Sequence, residues 1–425
     1  MPLPSPAQDD YSFDISEIEK RPYTIGGYLE LMPKVFWRDR DAAFYRLNFY
    51  DREGQDCLDE YSYTFSLNGE YEKGISKIYL RSNISGTESD IDSDTDIAVD
   101  EAYLSIKPLS TLNITIGKKV LKWGKGYAWN PVGFAGRSKN PDDPDLALEG
   151  YTVATADYIK SFSGPLKVMT VSPVLIPVYD HINTDFGIRN NMNYAGKLYL
   201  LLYDTDIDIM FLKGNSKASR IGLDFSRNIT SNFEIHGEIA HIDDAMKRTI
   251  DSTGTVTQST GDRESFLFGA RYLAKTDTTF IFEYYRNGPG FTGEEMEDFF
   301  GLVENGFDAY RLSGNETLLT KARSVTEGSY GRQNPMKDYL YLRISQKDPF
   351  DILYLTPSVT CIYNTTDESF SLSPEIVYRG FTNFEIRLKS GFLIGSENSE
   401  FGEKQNDYRA ELRIRYYFDA NKIFQ

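Results

Sequence analysis

The sequence holds only two cysteines, Cys57 and Cys361, far apart in the chain. At most one disulfide is available, and there is neither a CxxC metal site nor a CxxCH haem-attachment site. Histidine is nearly as scarce, with His181, His236 and His241 alone. No motif around them marks an activated nucleophile, so enzymatic activity is not expected. No run of about 18 apolar residues exists, which excludes a transmembrane helix. Positive charge is in deficit: 46 Lys and Arg stand against 63 Asp and Glu, for a net charge of −17. A nucleic-acid partner is therefore not expected. A secretion signal is also missing, since Met1-Pro2-Leu3-Pro4 leads straight into a polar segment. If the chain is exported, the expectation is that its signal has been removed and a start Met added.

What is abundant is tyrosine and phenylalanine, 30 and 27 residues, and their placement is periodic. From Tyr61 to Glu72 the odd positions (Tyr61, Tyr63, Phe65, Leu67, Gly69, Tyr71) are apolar or small, and every even position is polar. Tyr408, Ala410, Leu412, Ile414, Tyr416 and Phe418 alternate in the same way with Arg409, Glu411, Arg413, Arg415, Tyr417 and Asp419. Phe384, Ile386, Leu388, Phe392 and Ile394 oppose Glu385, Arg387 and Lys389. Strict period-2 alternation specifies strands with one apolar face. These strands run to ten residues or more, against about 5–6 in soluble sheets. Their apolar faces begin and end on aromatic residues, where a membrane barrel carries its girdles.

Breaks between strands alternate between short and long. Short ones fall near 73–74, 108–111, 163–164, 204–206, 228–231, 275–277 and 380–382. Longer ones span 85–97, 124–149, 176–191, 244–262, 288–336 and 396–407. Tight turns at one end and long loops at the other are the pattern of an outer-membrane β-barrel. The expected fold is all-β: a transmembrane antiparallel up-and-down barrel with short periplasmic turns and long external loops. Residues 1–22 form an N-terminal periplasmic segment and 23–425 a single barrel. Nineteen strands are counted from Tyr23 to Phe418, and an even number is expected. Tyr11-Ser12-Phe13-Asp14-Ile15 would supply the twentieth. The expectation is about 20 strands, with 18 as the fallback.

Two loops stand out. In 288–336, Glu294, Glu295, Met296, Phe299, Phe300, Leu302 and Val303 have the spacing of a short amphipathic helix. Loop 124–149 is broken by Gly124, Gly126, Asn130, Pro131, Pro141 and Pro144. With the strand before it, the loop carries Lys118, Lys119, Lys122, Lys125, Arg137 and Lys139, the most basic stretch of an acidic chain. Folded inward, it would narrow the lumen to a charged eyelet. Folded outward, it would be an external loop held by Trp123, Tyr127 and Trp129. Lys119, Lys122, Lys125, Arg137 and Lys139 are thus candidate constriction residues. Arg387, Lys389, Arg409, Glu411, Arg413 and Arg415 are candidate lumen residues from the strands. Glu234, His236 and Glu238 share a strand face, with His241 on the other. Asp90, Asp92, Asp94 and Asp96 alternate in 85–97. Both sets read as hydrated polar groups, and no metal or cofactor is assigned to the chain.

The segment WGxGxxxNP (Trp123, Gly124, Gly126, Asn130, Pro131), followed by an acidic, proline-containing run and Glu149-Gly150, resembles a motif of several porin-like outer-membrane families. With the opening FDISEIEKRPYTIGGYLEL (13–31), it is similar to barrels of delta-proteobacterial metal reducers. Some of those belong to porin–cytochrome complexes for extracellular electron transfer. The resemblance implies a sheath around a multihaem cytochrome that conducts electrons across the outer membrane. It also implies periplasmic and surface cytochromes as partners beside outer-membrane lipid. Any haem would be the partner's. The alternative is a passive diffusion porin for small solutes, anions among them, narrowed by loop 124–149.

Overall fold

The computed structural model describes residues 22–52, 56–144, 146 and 148–419. Eighteen strands form one antiparallel sheet. In chain order these are β1 (Tyr23–Arg38), β2 (Cys57–Lys73), β3 (Ser76–Ser89), β4 (Ser93–Leu109), β5 (Leu112–Lys119) and β6 (Tyr151–Ser161). Then come β7 (Leu166–Val178), β8 (Asn191–Leu202), β9 (Thr205–Lys213), β10 (Arg220–Thr230), β11 (Phe233–Ile250) and β12 (Val256–Leu273). The last six are β13 (Thr278–Arg286), β14 (Asp338–Gln346), β15 (Leu355–Asn364), β16 (Phe370–Tyr378), β17 (Phe384–Ile394) and β18 (Asn406–Asp419). Each strand pairs with its neighbours in sequence, and β18 pairs with β1, with Gly27 opposite Phe418. Closure of the barrel removes every unpaired edge. A side chain at Gly27 would drive its Cβ to 2.0 Å from the Ser66 carbonyl and 2.7 Å from the Phe418 ring, so the closing seam requires glycine.

Alternation sets the two faces. Tyr61, Tyr63, Leu388 and Tyr408 point outward and are exposed, while Ser66, Glu385, Arg387, Lys389 and Arg413 are buried inside. Turns at one end are tight. Tyr203 and Asp204, both in the left-handed region at φ 50° and 57°, join β8 to β9. This is the two-residue turn whose twist matches that of paired strands.

The count of about 20 is corrected to the fallback of 18. Tyr11–Ile15 lies outside the described residues. Two expected loops also disappear. Strands β3 and β4 run through 85–97 with only 90–92 between them, so Asp94 and Asp96 are strand residues. Strands β11 and β12 run through 244–262, with a bulge between Ile242 and Ala245. A bulge interrupts the period-2 pattern without ending the strand, which is why the sequence looked broken there. Cys57 and Cys361 are both free thiols.

The connection from β13 to β14 holds more helix than its sequence suggested. Helix α2 (Gly293–Ser313) follows α1 (Ala43–Phe49), which lies between β1 and β2, and precedes α3 (Thr317–Val325). Helix α2 starts with a reciprocal cap. The Glu295 amide donates to Thr292 Oγ1 at 3.2 Å, and the Thr292 amide donates to Glu295 Oε2 at 2.7 Å. The helix ends at left-handed Gly314. The three helices bury Phe44, Leu47, Phe299, Phe300, Val303 and Leu319 against one another and against Tyr339 and Tyr341 of β14. They cap the long-loop end of the barrel.

Candidate functional site

Loop 120–150 leaves the wall at β5 and crosses the interior. Its first leg ends on acidic side chains of the wall. Glu238 of β11 accepts from the backbone amides of Lys125 at 2.6 Å, Gly126 at 2.7 Å and Val132 at 3.2 Å. Glu283 of β13 accepts from the amides of Tyr127 and, at 2.9 Å, Ala128. His236 Nε2 lies 2.9 Å from the same Glu283. Hydrogen bonds from several amides to one buried carboxylate are strong. They need the backbone to come close, which explains both motif glycines. Gly124 sits at φ 97°, and a Cβ there would lie 2.8 Å from Glu238 Oε1. A Cβ at Gly126 would lie 2.3 Å from the Trp129 carbonyl.

The second leg ends on the opposite sign of charge. Asp143 meets Arg413 of β18 at 3.1 Å and Arg387 of β17 at 3.5 Å. Asp142 meets Arg409 at 3.0 Å, and its carbonyl accepts from Lys389 Nζ at 2.6 Å. The loop then rejoins the wall at β6. Its root (β5 and β6), first dock (β11 and β13) and second dock (β17 and β18) lie about six strands apart around the closed ring. The loop is thus braced on three roughly equidistant parts of the wall.

The candidate residues separate along this path. Lys125 enters the acidic wall, 2.9 Å from Asp208 of β9 and 3.9 Å from Asp224 of β10. Lys139 donates to the Gly126 carbonyl and ties the loop to itself. Arg137 turns toward the mouth, where it binds Asp185 and, at 2.7 Å, Glu149. Glu411 pairs with Arg413 at 3.3 Å, and Arg415 Nε donates to Glu30 of β1 at 2.7 Å. Lys119 and Lys122 line a lumenal cavity of about 330 Å³ with Lys197, Asp157, Ser172 and Tyr199. Among the described residues neither Lys119 nor Lys122 forms an ion pair; Lys119 lies over the Tyr103 ring.

The three aromatic residues expected to anchor the loop, Trp123, Tyr127 and Trp129, all face inward. Trp123 is buried with Val132 and Phe134 against Val153, Val174 and Ile176 of β6 and β7. Tyr127 donates to Glu234 at 3.3 Å and packs on His236. Trp129 stacks on Tyr285 at 5.0 Å between ring centroids and joins the helical core.

Sequence reasoning named the cations but not their partners Asp142, Asp143, Asp208 and Glu30; it named Glu238 but not its grip on the loop amides, and it missed Glu283. One signal for the inward loop was present. In β7, Val174, Ile176 and Val178 face inward and Leu175 and Pro177 outward. A strand apolar on both faces is covered on both faces. Glu234, His236 and Glu238 do share the inward face, but Glu238 is occupied by loop amides and His236 by Glu283.

No family model and no curated protein matches the sequence. Among solved structures the chain is similar to OccK11 (OpdR) of Pseudomonas aeruginosa, with a TM-score of 0.50 and 10% identity over 93% of this chain and 96% of that one. It also aligns with OccK5 (OpdH) of the same organism at a TM-score of 0.49 and 13% identity, over 93% and 98% of the two chains. A triple mutant of the Rhodopseudomonas blastica porin gives 0.47 and 9%, over 93% and 100%. At this identity the first likeness is one of fold, and it agrees with the closed antiparallel barrel.

Proposed function

We propose that the chain is an outer-membrane channel of porin type: a passage for small solutes, narrowed by its own inward loop. The bracing of loop 120–150 on three parts of the wall carries this reading. A loop anchored by buried carboxylates and arginines is a permanent constriction, because releasing it would strand those charges. The lysine-lined cavity on the β6–β8 side has no helix of the cap in its lining, so the passage is assigned there. Lys119 and Lys122, which form no ion pair among the described residues, favour anions at that point.

The sheath reading needs an interior free for a guest cytochrome. The loop and the helical core fill much of that space, which counts against it.

Planar-bilayer recording of the detergent-purified barrel tests both. Stepwise conductance with a reversal potential favouring anions is expected. Replacing Lys119 and Lys122 together by glutamate should move that potential toward cations. A barrel that conducts nothing and purifies with stoichiometric haem in another band would overturn the channel reading in favour of the sheath.

A further inference from the structure

His241 stands on the outer surface of the wall, on the opposite face of β11 from His236. It is in register with Ile221 of β10 and Glu264 of β12. Directly after it, the bulge between Ile242 and Ala245 places two residues, Asp243 and Asp244, opposite Asp262. Asp244 is left-handed at φ 47°, and its amide donates to Asp262 Oδ1 at 3.1 Å. The bulge thereby turns Asp243 back toward His241, with Asp243 Oδ1 3.1 Å from His241 Nε2. Glu264 Oε1 lies 3.7 Å from His241 Nδ1. Ligand atoms of His241, Asp243 and Asp262 all fall within 4.8 Å of one another.

Three carboxylates thus converge on one imidazole. Among the described residues no lysine or arginine forms an ion pair with Asp243, Asp262 or Glu264. Even a protonated imidazole would supply one positive charge against three negative ones. Like charges gathered this closely repel one another, and a bound cation would relieve that repulsion. Its donors, one ring nitrogen and several carboxylate oxygens, suit a borderline divalent ion better than magnesium or calcium, which prefer oxygen alone. Zinc bonds of about 2.0–2.2 Å place ligand atoms roughly 3–4 Å apart. Small rotations of the exposed Asp243 and Asp262 side chains reach that spacing.

We propose that His241, Asp243 and Asp262, with Glu264 beside them, form a Zn²⁺ site on the outer wall. The outward residues on the membrane side of the cluster are Ile239, Phe266 and Phe268, all exposed. The site therefore sits where the apolar band of the wall gives way to charge, and the bound ion ties β11 to β12 across the bulge.

Calorimetric titration of the detergent-purified full chain with Zn²⁺ alone tests this. One saturable site per chain is expected. His241→Ala and the pair Asp243→Asn with Asp262→Asn should each weaken it at least about tenfold, with folding of each variant checked by heat-modifiable gel mobility. Absence of a saturable site in the unaltered protein, or unchanged binding in His241→Ala, overturns the proposal. Should the variants fail to fold, zinc-edge X-ray absorption of the unaltered complex decides. Scattering from a single imidazole among oxygen ligands supports the site, and any other imidazole number refutes it.

Discussion

Asp143 lies 3.1 Å from Arg413, a loop carboxylate held by a strand that its own loop never adjoins in sequence. Both side chains are largely shielded, at 14% and 10% exposure. Removing one partner of such a pair leaves a buried charge and costs about 3–5 kcal/mol. Asp143→Ala should therefore free the second leg of the loop. The expected result is a larger and noisier single-channel conductance, together with new protease cleavage between 137 and 144. An unchanged conductance would show that the loop is held without Asp143, by Asp142 and the first leg.

The first leg makes its own demand. Gly124→Ala forces a left-handed alanine and presses its Cβ on Glu238. Backbone strain of this kind costs about 1–3 kcal/mol. Thermal unfolding followed by heat-modifiable mobility should show a lower midpoint for this variant. Gly74→Ala, in an open turn at φ 61°, keeps the backbone strain but meets no neighbour and should lose less.

Trp129 ties the loop to the helical cap through Tyr285 and Tyr339. Trp129→Ala should destabilise the cap by about 3–5 kcal/mol, as for other buried aromatic residues. Helix unfolding should then precede loss of the strand signal in circular dichroism. A single concerted transition at the original temperature would mean that the cap does not depend on the loop.

Glu400, in the connection between β17 and β18, is buried and accepts from Tyr339 Oη at 2.5 Å and Asn364 Nδ2 at 2.9 Å. Burial pushes its carboxyl up from 4.5 to about 7, and Lys404 opposes the shift. The folded state then holds the proton more tightly than the unfolded state. Stability from this group is full below about pH 4.5 and is lost as pH rises through about 7, by about 3 kcal/mol at most. The cap should therefore melt at a higher temperature at pH 5 than at pH 8. Glu400→Gln should flatten that difference, and an equally steep profile in the variant would assign it elsewhere.

Strand identity was legible because an apolar outer face and a polar inner one impose period 2 directly on the sequence, as Tyr61–Glu72 shows. Strand ends were harder to place. The β11 bulge breaks the alternation while the hydrogen-bonded ladder continues. The apolar spacing from Met296 to Val303 spans only the first half of α2; the bounds lie at the Thr292–Glu295 capping box and at Gly314, which that spacing does not report. The loop was legible as basic and irregular. Its grip was not, because Asp143 and Arg413 meet only once the ring has closed. Charge pairing across a lumen leaves no local spacing to read.

The helical cap is built unlike the wall beneath it. Its core is built like the water-excluding interior of a soluble protein, whereas the wall turns its apolar side chains outward, toward acyl chains if the proposed function holds. One polypeptide therefore answers to two solvents. Chaotropes should loosen the cap at concentrations that leave the barrel intact, while a change of detergent should act first on the barrel.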